Sequence, residues 1–428
     1  MIRSTPSVAA FSWLLLAAHA YAAPATEQLR QLQGGLRQAR AANDWPAYLA
    51  TATKLQTFLN AAPRSLLEVS RAQLHVGNTD AALQALSQFA AMGQAADLPG
   101  LAQEFATLPQ GPALQRLQER MSANARPVAL GASALVLADA GLLAEDLDYD
   151  RSGKRFLVSS IRERKIVALS RHGRSTDFAR SPDGWPMVAL RIDAQHGRVW
   201  ATEVAFQGSA LAPAADWGRS ALLCFELTTG TLVHRIEAPH AAALGDLVIT
   251  PRGDVIASDG EGGGLYRLPA GGTALQLLNS TDLVSPQTPA LHPDGRQVFV
   301  PDYVRGIAVL DLASGELRWL SMQGRFALSG IDGLYFQHGR LIAVQNGTLP
   351  ERVVLFTLDP TLDHIIAETV MERSTATLGD PTHGVIVGND FYYIANSGWD
   401  LLDEHGALKS DAHPSPPRIM RVQLPRTS

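Results

Sequence analysis

Apolar residues change rhythm once along this chain. From Thr26 to about Asn124 they recur every three or four positions, in segments rich in Ala, Leu and Gln, which predicts amphipathic helices. Asn43-Asp44 precedes "WPAYLATATKLQTFLN", Pro63 opens the next segment, Gly77-Asn78 closes it, and Thr79 or Asp80 can cap another. Short turns between such segments predict antiparallel helix pairs, ending in a terminal helix near "PALQRLQERM". After "ANARPVALG" (123–131) the helical rhythm stops. Short alternating runs punctuated by Gly and Pro follow, and these predict strands.

One strand–turn–strand unit recurs through this second part. Its copies are "EDLDYDRSGKRFLVSS", "ALRIDAQHGRVWATE", "GDLVITPRGDVIASD", "QTPALHPDGRQVFVPD", "DGLYFQHGRLIAVQN" and "THGVIVGNDFYYIAN". The turn glycines are Gly153, Gly197, Gly253, Gly295, Gly339 and Gly388, between 42 and 56 residues apart. Further strands such as "RKIVALS" and "GIAVLDLASGELRWL" lie between copies. About four strands per repeat at this period predict a six-bladed β-propeller. "ASALVLAD" (132–139) precedes the first unit and "RIMRVQLP" ends the last. Pairing the two closes the ring and removes its sheet edges. The expected fold is therefore mainly β with an α-helical N-terminal region: helices over 24–125, then a propeller over 127–428.

Bulk properties narrow the function classes. The chain has 428 residues, 46% hydrophobic and 18% charged, with a net charge of −5. Nothing strongly basic points to nucleic acid. The single cysteine, Cys224, lies in the strand-like "SALLCFEL", has no internal partner for a disulfide, and reads as a small buried hydrophobe. Arg3, the apolar run "VAAFSWLLLAA" and the small residues of "AHAYAAPA" predict a secretory signal peptide over 1–22, cleaved after Ala22. A periplasmic or secreted location follows, with no membrane span after cleavage. There is no P-loop, GxSxG, HExxH or CxxC motif. "GEGGG" (260–264) sits between strands and does not read as a phosphate cradle.

Propeller geometry sorts the polar residues. The first strand of each blade lines the channel and the second returns, so first-strand starts and second-strand ends share one face while the glycine turns occupy the other. The starts carry Glu145, Asp246, Gln287 and Asp332, with Thr382-His383 in the sixth copy. The ends carry Glu203, Asp259, Asp302, Asn346 and Asn396. Turn acids such as Asp150 and Asp294 fall on the far face. Crowded carboxylates repel unless one protonates or a cation binds, and oxygen ligands suit hard cations, Ca²⁺ above all. Two long loops, 205–220 with Trp217 and 396–417 with Trp399, emerge at the same mouth and can form a lid or an apolar wall for substrate.

Two resemblances add to this reading. The small residues and period of the helical part resemble tetratricopeptide repeats, in degenerate form. "LAEDLDYDRSGKRFLVSSIRERKI", "HPDGRQVFVPD" and "IDGLYF" resemble the regucalcin (senescence marker protein)/gluconolactonase family and, more distantly, paraoxonase, over about 132–424. That resemblance implies a six-bladed propeller with a metal at the mouth. Glu145 matches the family's first-blade glutamate, and Asp332 its "DG" aspartate and candidate base. Gln287 stands where the family has an asparagine. Asp246 resembles an aspartate of paraoxonase, with Gly245 in place of its asparagine neighbour, and Asp146 resembles a ligand of paraoxonase's second, structural calcium.

The expected activity is metal-dependent hydrolysis of a lactone or related ester. Asp332 and Glu145 are the catalytic candidates. Glu145, Gln287, Asp332 and Asp246 are the expected ligands of a divalent ion such as Ca²⁺, and Asn346, His383, Trp217 and Trp399 the expected substrate contacts. The alternative is a non-catalytic binding or scaffold protein using the propeller mouth and the helical repeats. The expected partners are a small-molecule ligand and, through the helical region, a protein.

Overall fold

The computed structural model describes residues 23–60, 62–101, 103–170 and 173–426. The expected signal peptide lies outside the described residues. Among these residues no helix is long and apolar enough to cross a membrane.

Five four-stranded antiparallel sheets and one six-stranded sheet, in blade 5, form six blades, each running from an inner strand outward. The inner strands are Ala144–Asp150, Met187–Asp193, Leu244–Ile249, Ala290–Leu291, Gly333–Gln337 and Gly384–Val387 for blades 1 to 6. Strand Ala132–Val136 pairs antiparallel with Arg418–Gln423 and is the outermost strand of blade 6, so the ring closes as the sequence predicts. Just before it, Val128–Ala129 adds to the outer edge of blade 5. Five of the six turn glycines take positive φ; at Gly153 the adjacent Lys154 does so instead, with φ 50°.

Alternation along each strand builds the core. In blade 1, Phe156 and Val158 face blade 6 while Leu157, between them, faces blade 2. Apolar clusters of this kind fill the junctions between neighbouring blades. Cys224 is buried in blade 2, and burial pushes its thiol up to about 11, as befits an unreactive hydrophobe.

Helices α1 (Ala25–Ala41), α2 (Trp45–Phe58), α3 (Pro63–His75) and α4 (Thr79–Ala91) pack consecutively. A short α5 (Leu98–Leu101) and α6 (Pro112–Asn124) follow. Asp44 caps α2 by accepting from the Ala47 amide at 3.0 Å. Thr79 is already helical, which leaves Asn78 as the cap residue of α4 rather than the Thr79 or Asp80 the sequence suggests.

These helices dock on blades 3 to 5. The Ala25 amide bonds Thr281 O, and Asn60 donates to Arg305 O at 3.0 Å. Gln94 accepts from the Leu349 amide at 3.0 Å. The Arg305 guanidinium stacks on Phe58 and Trp319, and the fully buried Arg352 holds Gln345 and Glu368. Thr281, Arg305 and Leu349 lie on connections that leave the mouth face, so the helices overhang one side of the channel mouth.

Candidate functional site at the channel mouth

Four inner-strand starts from four blades converge at the mouth: Glu145, Asp246, Asp332 and His383. All are buried, between 1% and 9% exposed. Glu145, Asp332 and His383 each offer one ligand atom, and these atoms lie within 4.8 Å of one another. His383 is the hub. Its Nδ1 is 3.0 Å from the Glu145 backbone carbonyl, which can only accept, so Nδ1 carries a proton. That leaves Nε2 facing two carboxylates, 2.8 Å from Asp246 Oδ1 and 3.9 Å from Asp332 Oδ1. The 2.8 Å contact is not aligned for hydrogen bonding, and both atoms are buried without a hydrogen-bond partner. Thr382 Oγ1 donates to the same Glu145 carbonyl at 2.7 Å.

Three carboxylates around one imidazole set the electrostatics. Burial raises Asp332 to about 7; His383 opposes this and Asp246 adds to it. Burial also holds Glu145 well above the usual carboxylate range, against the pull of His383. For His383 burial alone would lower the imidazole, but Asp246 and Asp332 outweigh it and the group is pushed well up. Asp332 is held by a relay: Asn346 Nδ2 donates to its Oδ2 at 2.9 Å, and Tyr303 Oη donates to Asn346 Oδ1 at 3.0 Å. Gly347 makes room for this relay, since a Cβ there would lie 2.7 Å from the Tyr303 hydroxyl.

The residues present fit a divalent ion. The carboxylates favour a protonated His383; loss of its Nε2 proton to an incoming ion would leave a neutral imidazole whose Nδ1–H is fixed by a carbonyl and whose Nε2 faces two carboxylates, a common ligand arrangement. Asp246 Oδ1 meets His383 Nε2 at 2.8 Å without hydrogen-bond alignment, which leaves it open to a further interaction. Mixed nitrogen and oxygen donors depart from the all-oxygen set expected for Ca²⁺, and they suit ions such as Mn²⁺ or Zn²⁺.

Other expected residues are placed differently. Gln287 donates its amide Nε2 to Ser285 Oγ at 3.0 Å. Asn346 positions Asp332. Trp399 donates its indole N–H to Glu145 Oε2 and meets Phe206 edge-on at 5.9 Å. Trp217 instead donates to Ser209 O and Ala212 O inside its own loop. The two long loops meet over the mouth, where the Ala210 amide bonds His405 O at 2.6 Å. Leu143, Phe206, Leu211, Trp399, Leu402 and Leu408 share an apolar cluster there.

The second-strand ends are mostly loop clamps. Asp302 accepts amides of Val284, Ser285, Val304 and Arg305. Asp259 accepts from Ala242, Ala243 and Gly262, and Asn396 accepts from the Arg418 amide at 2.8 Å. Glu203 is 3.5 Å from Arg235. Asp150 accepts from the Gly153 amide and Arg155 at the far turn, as the sequence predicts.

Sequence reasoning missed Arg191. Its Nη1 lies 2.6 Å from Asp146 Oδ2, which also accepts the Leu190 amide at 2.8 Å. A guanidinium thus occupies the place that the paraoxonase resemblance reserves for a second ion.

No family model and no curated protein matches the chain. Among solved structures it is similar to a gluconolactonase from Xanthomonas campestris, at 14% identity and a TM-score of 0.47, over 70% of this chain and 99% of that one. It is also similar to a calcium-binding protein, regucalcin, from Agrobacterium tumefaciens, at 17% identity and a TM-score of 0.46, over 70% and 96%. A third is virginiamycin B lyase from Staphylococcus aureus, at 13% identity and a TM-score of 0.43, over 69% and 98%. Likenesses of this strength assign no chemistry, and the reading below stands on the site alone.

Proposed function

We propose that this protein hydrolyses a lactone or related ester at the mouth of its propeller, with a divalent ion held by Glu145, Asp332 and His383. The observation that carries this is the convergence of three ligand atoms from three blades within 4.8 Å, with the Asp246 carboxylate beside them, 2.8 Å from His383 Nε2. When bound, such an ion polarises the substrate carbonyl and lowers the pKa of a water. Asp332 is the base. Its Oδ2 is engaged by Asn346, so Oδ1 is the oxygen free to take the proton of the attacking water. A carboxyl raised to about 7 by burial is matched to that task at neutral pH. His383, fixed by the Glu145 carbonyl, and Glu145, fixed by Trp399, keep the ligand atoms in place. The Trp399 loop excludes water from the centre.

The test is metal content and hydrolysis on a panel of aliphatic lactones and esters, before and after chelation, for the wild type and Asp332→Asn. Chelation and the substitution should each abolish turnover. Turnover indifferent to both sinks the mechanism. Tight metal binding with no turnover anywhere on the panel supports the second reading, a non-catalytic binding protein, which the burial of all four side chains favours.

A further inference from the structure

A cavity of about 270 Å³ lies where the helices overhang the mouth. Its helical wall is mostly apolar, with Leu36, Leu55, Leu59 and Phe89, and also carries Glu68, which is paired with Arg71; its propeller wall includes Tyr303. It lies near the lower end of the roughly 300–1,000 Å³ typical of small-ligand pockets, and its lining is of the usual kind, mostly apolar with few polar groups. Two features tie it to the site. Tyr303 is both cavity wall and the start of the relay through Asn346 to Asp332, so the cavity is two hydrogen bonds from the proposed base. Arg64, at the start of α3, also lines the cavity and makes no ion pair or hydrogen bond among the described residues. Arg64 is itself exposed, and its charge opposes the burial and the Asp332 charge that raise the Tyr303 hydroxyl to about 12.

We propose that this cavity binds a medium-chain aliphatic carboxylate, with the alkyl chain among the leucines of α1 and α2 and the carboxylate on Arg64 beside Tyr303. In substrate terms, which rest on the hydrolase reading above, the protein prefers lactones or esters with a medium-length acyl chain. A carboxylate suits an unpaired guanidinium because the two can meet through paired N–H···O bonds. A slot lined by leucines suits an alkyl chain, since filling it removes apolar surface from water on both sides. The helical region thereby supplies specificity to a centre that the propeller alone builds.

Calorimetric titration of the full chain with decanoate and with 1-decanol tests this without requiring turnover. Both should bind the wild type. Arg64→Gln should weaken decanoate about tenfold and leave 1-decanol unchanged. Leu59→Trp, or Leu36→Phe if the first variant does not fold, should weaken both probes at least tenfold. No binding of either probe, or binding indifferent to both the charge and the filling substitutions, overturns the proposal. Decanoate binding without hydrolysis overturns only the hydrolase reading, whereas hydrolysis of short lactones without decanoate binding overturns only this one.

Discussion

Glu145 and Asp146 are neighbours on one strand, and they belong to two buried acidic clusters in the channel that are balanced in opposite ways. Below the mouth, Asp146 and Asp148 face Arg191, and the carboxylate oxygens of the two acids also accept the backbone amides of Leu190 and Ile192. At the mouth, three carboxylates share one imidazole, and a buried oxygen and nitrogen have no aligned partner. Both clusters are acidic and both are desolvated, so neither acidity nor burial separates structure from function here. The balance of charge does. In the interior the acids meet a guanidinium and backbone amides, although Arg191 Nη2 is left without a hydrogen-bond partner; at the mouth three carboxylates share one imidazole, an excess of negative charge that suits a cation.

The largest expected contrast comes from Asp332→Asn. It removes the proposed base and a ligand, and should lower turnover by about 10²–10⁴-fold, the usual contribution of a positioned base. Stability should hold or rise, because the substitution relieves repulsion among Glu145, Asp246 and Asp332. Kinetics on the panel and urea melts of the same preparations check the two halves. A loss of stability equal to the loss of activity would erase the distinction between the clusters.

Arg191→Met is the mirror experiment. It strands Asp146 in a site with 0% exposure, and breaking a buried pair in this way costs about 3–5 kcal/mol. Urea denaturation should show that loss. A small effect would mean that the interior cluster is not closed by its guanidinium and has room for an ion of its own.

Next in size is the response to metal and pH. A divalent ion at 100 times its Kd should stabilise the fold by about 2.7 kcal/mol, read as a thermal shift. The sign of the pH effect follows from Asp332. Between its ordinary 3.8 and about 7, the folded protein holds a proton that the unfolded chain releases, so this carboxyl destabilises the metal-free fold as pH rises through that window. Metal competes with that proton, so its stabilisation should be larger at pH 8 than at pH 5. Asp332→Asn should flatten both trends, and Arg191→Met should leave the metal-dependent one intact.

The architecture was open to sequence reading because it rests on local periods. Alternation, turn glycines and their spacing define six blades, and the run at 132–136 finds its partner because closure is the one way to cover a last edge. The mouth was legible in part. Glu145, Asp246 and Asp332 were placed by strand-start geometry, and His383 by the same rule, although its role as hub depends on a carbonyl contributed by another blade. The strand ends misled: Asp259 and Asp302 occupy the same face but turn their carboxylates onto the amides of adjoining loops, and the nearby "GEGGG" and "VRG" runs were the local hint of such clamps. Gln287 donates its amide nitrogen to Ser285, only two residues before it, a contact that no spacing rule foresees. Arg191 lies mid-strand in "ALRIDAQHG", and nothing local says that its guanidinium meets an acid 45 residues earlier. The docking of the helices was least legible of all, because its contacts join residues about 245 to 260 apart in sequence.

The smallest expected effect is also the most discriminating. Tyr303→Phe keeps the ring that lines the cavity and removes only the hydroxyl that donates to Asn346. The stability cost should be about 0.5–1.5 kcal/mol, that of one hydrogen bond. Asn346, less firmly held, should donate less well to Asp332, and because that bond lowers the Asp332 carboxyl its loss should move the value upward from about 7. The acid limb of the pH–rate profile should therefore shift to higher pH while the plateau falls only a few-fold. If the limb stays fixed in Tyr303→Phe, the relay is packing rather than tuning, and the mouth would differ from the interior in its excess of carboxylates alone.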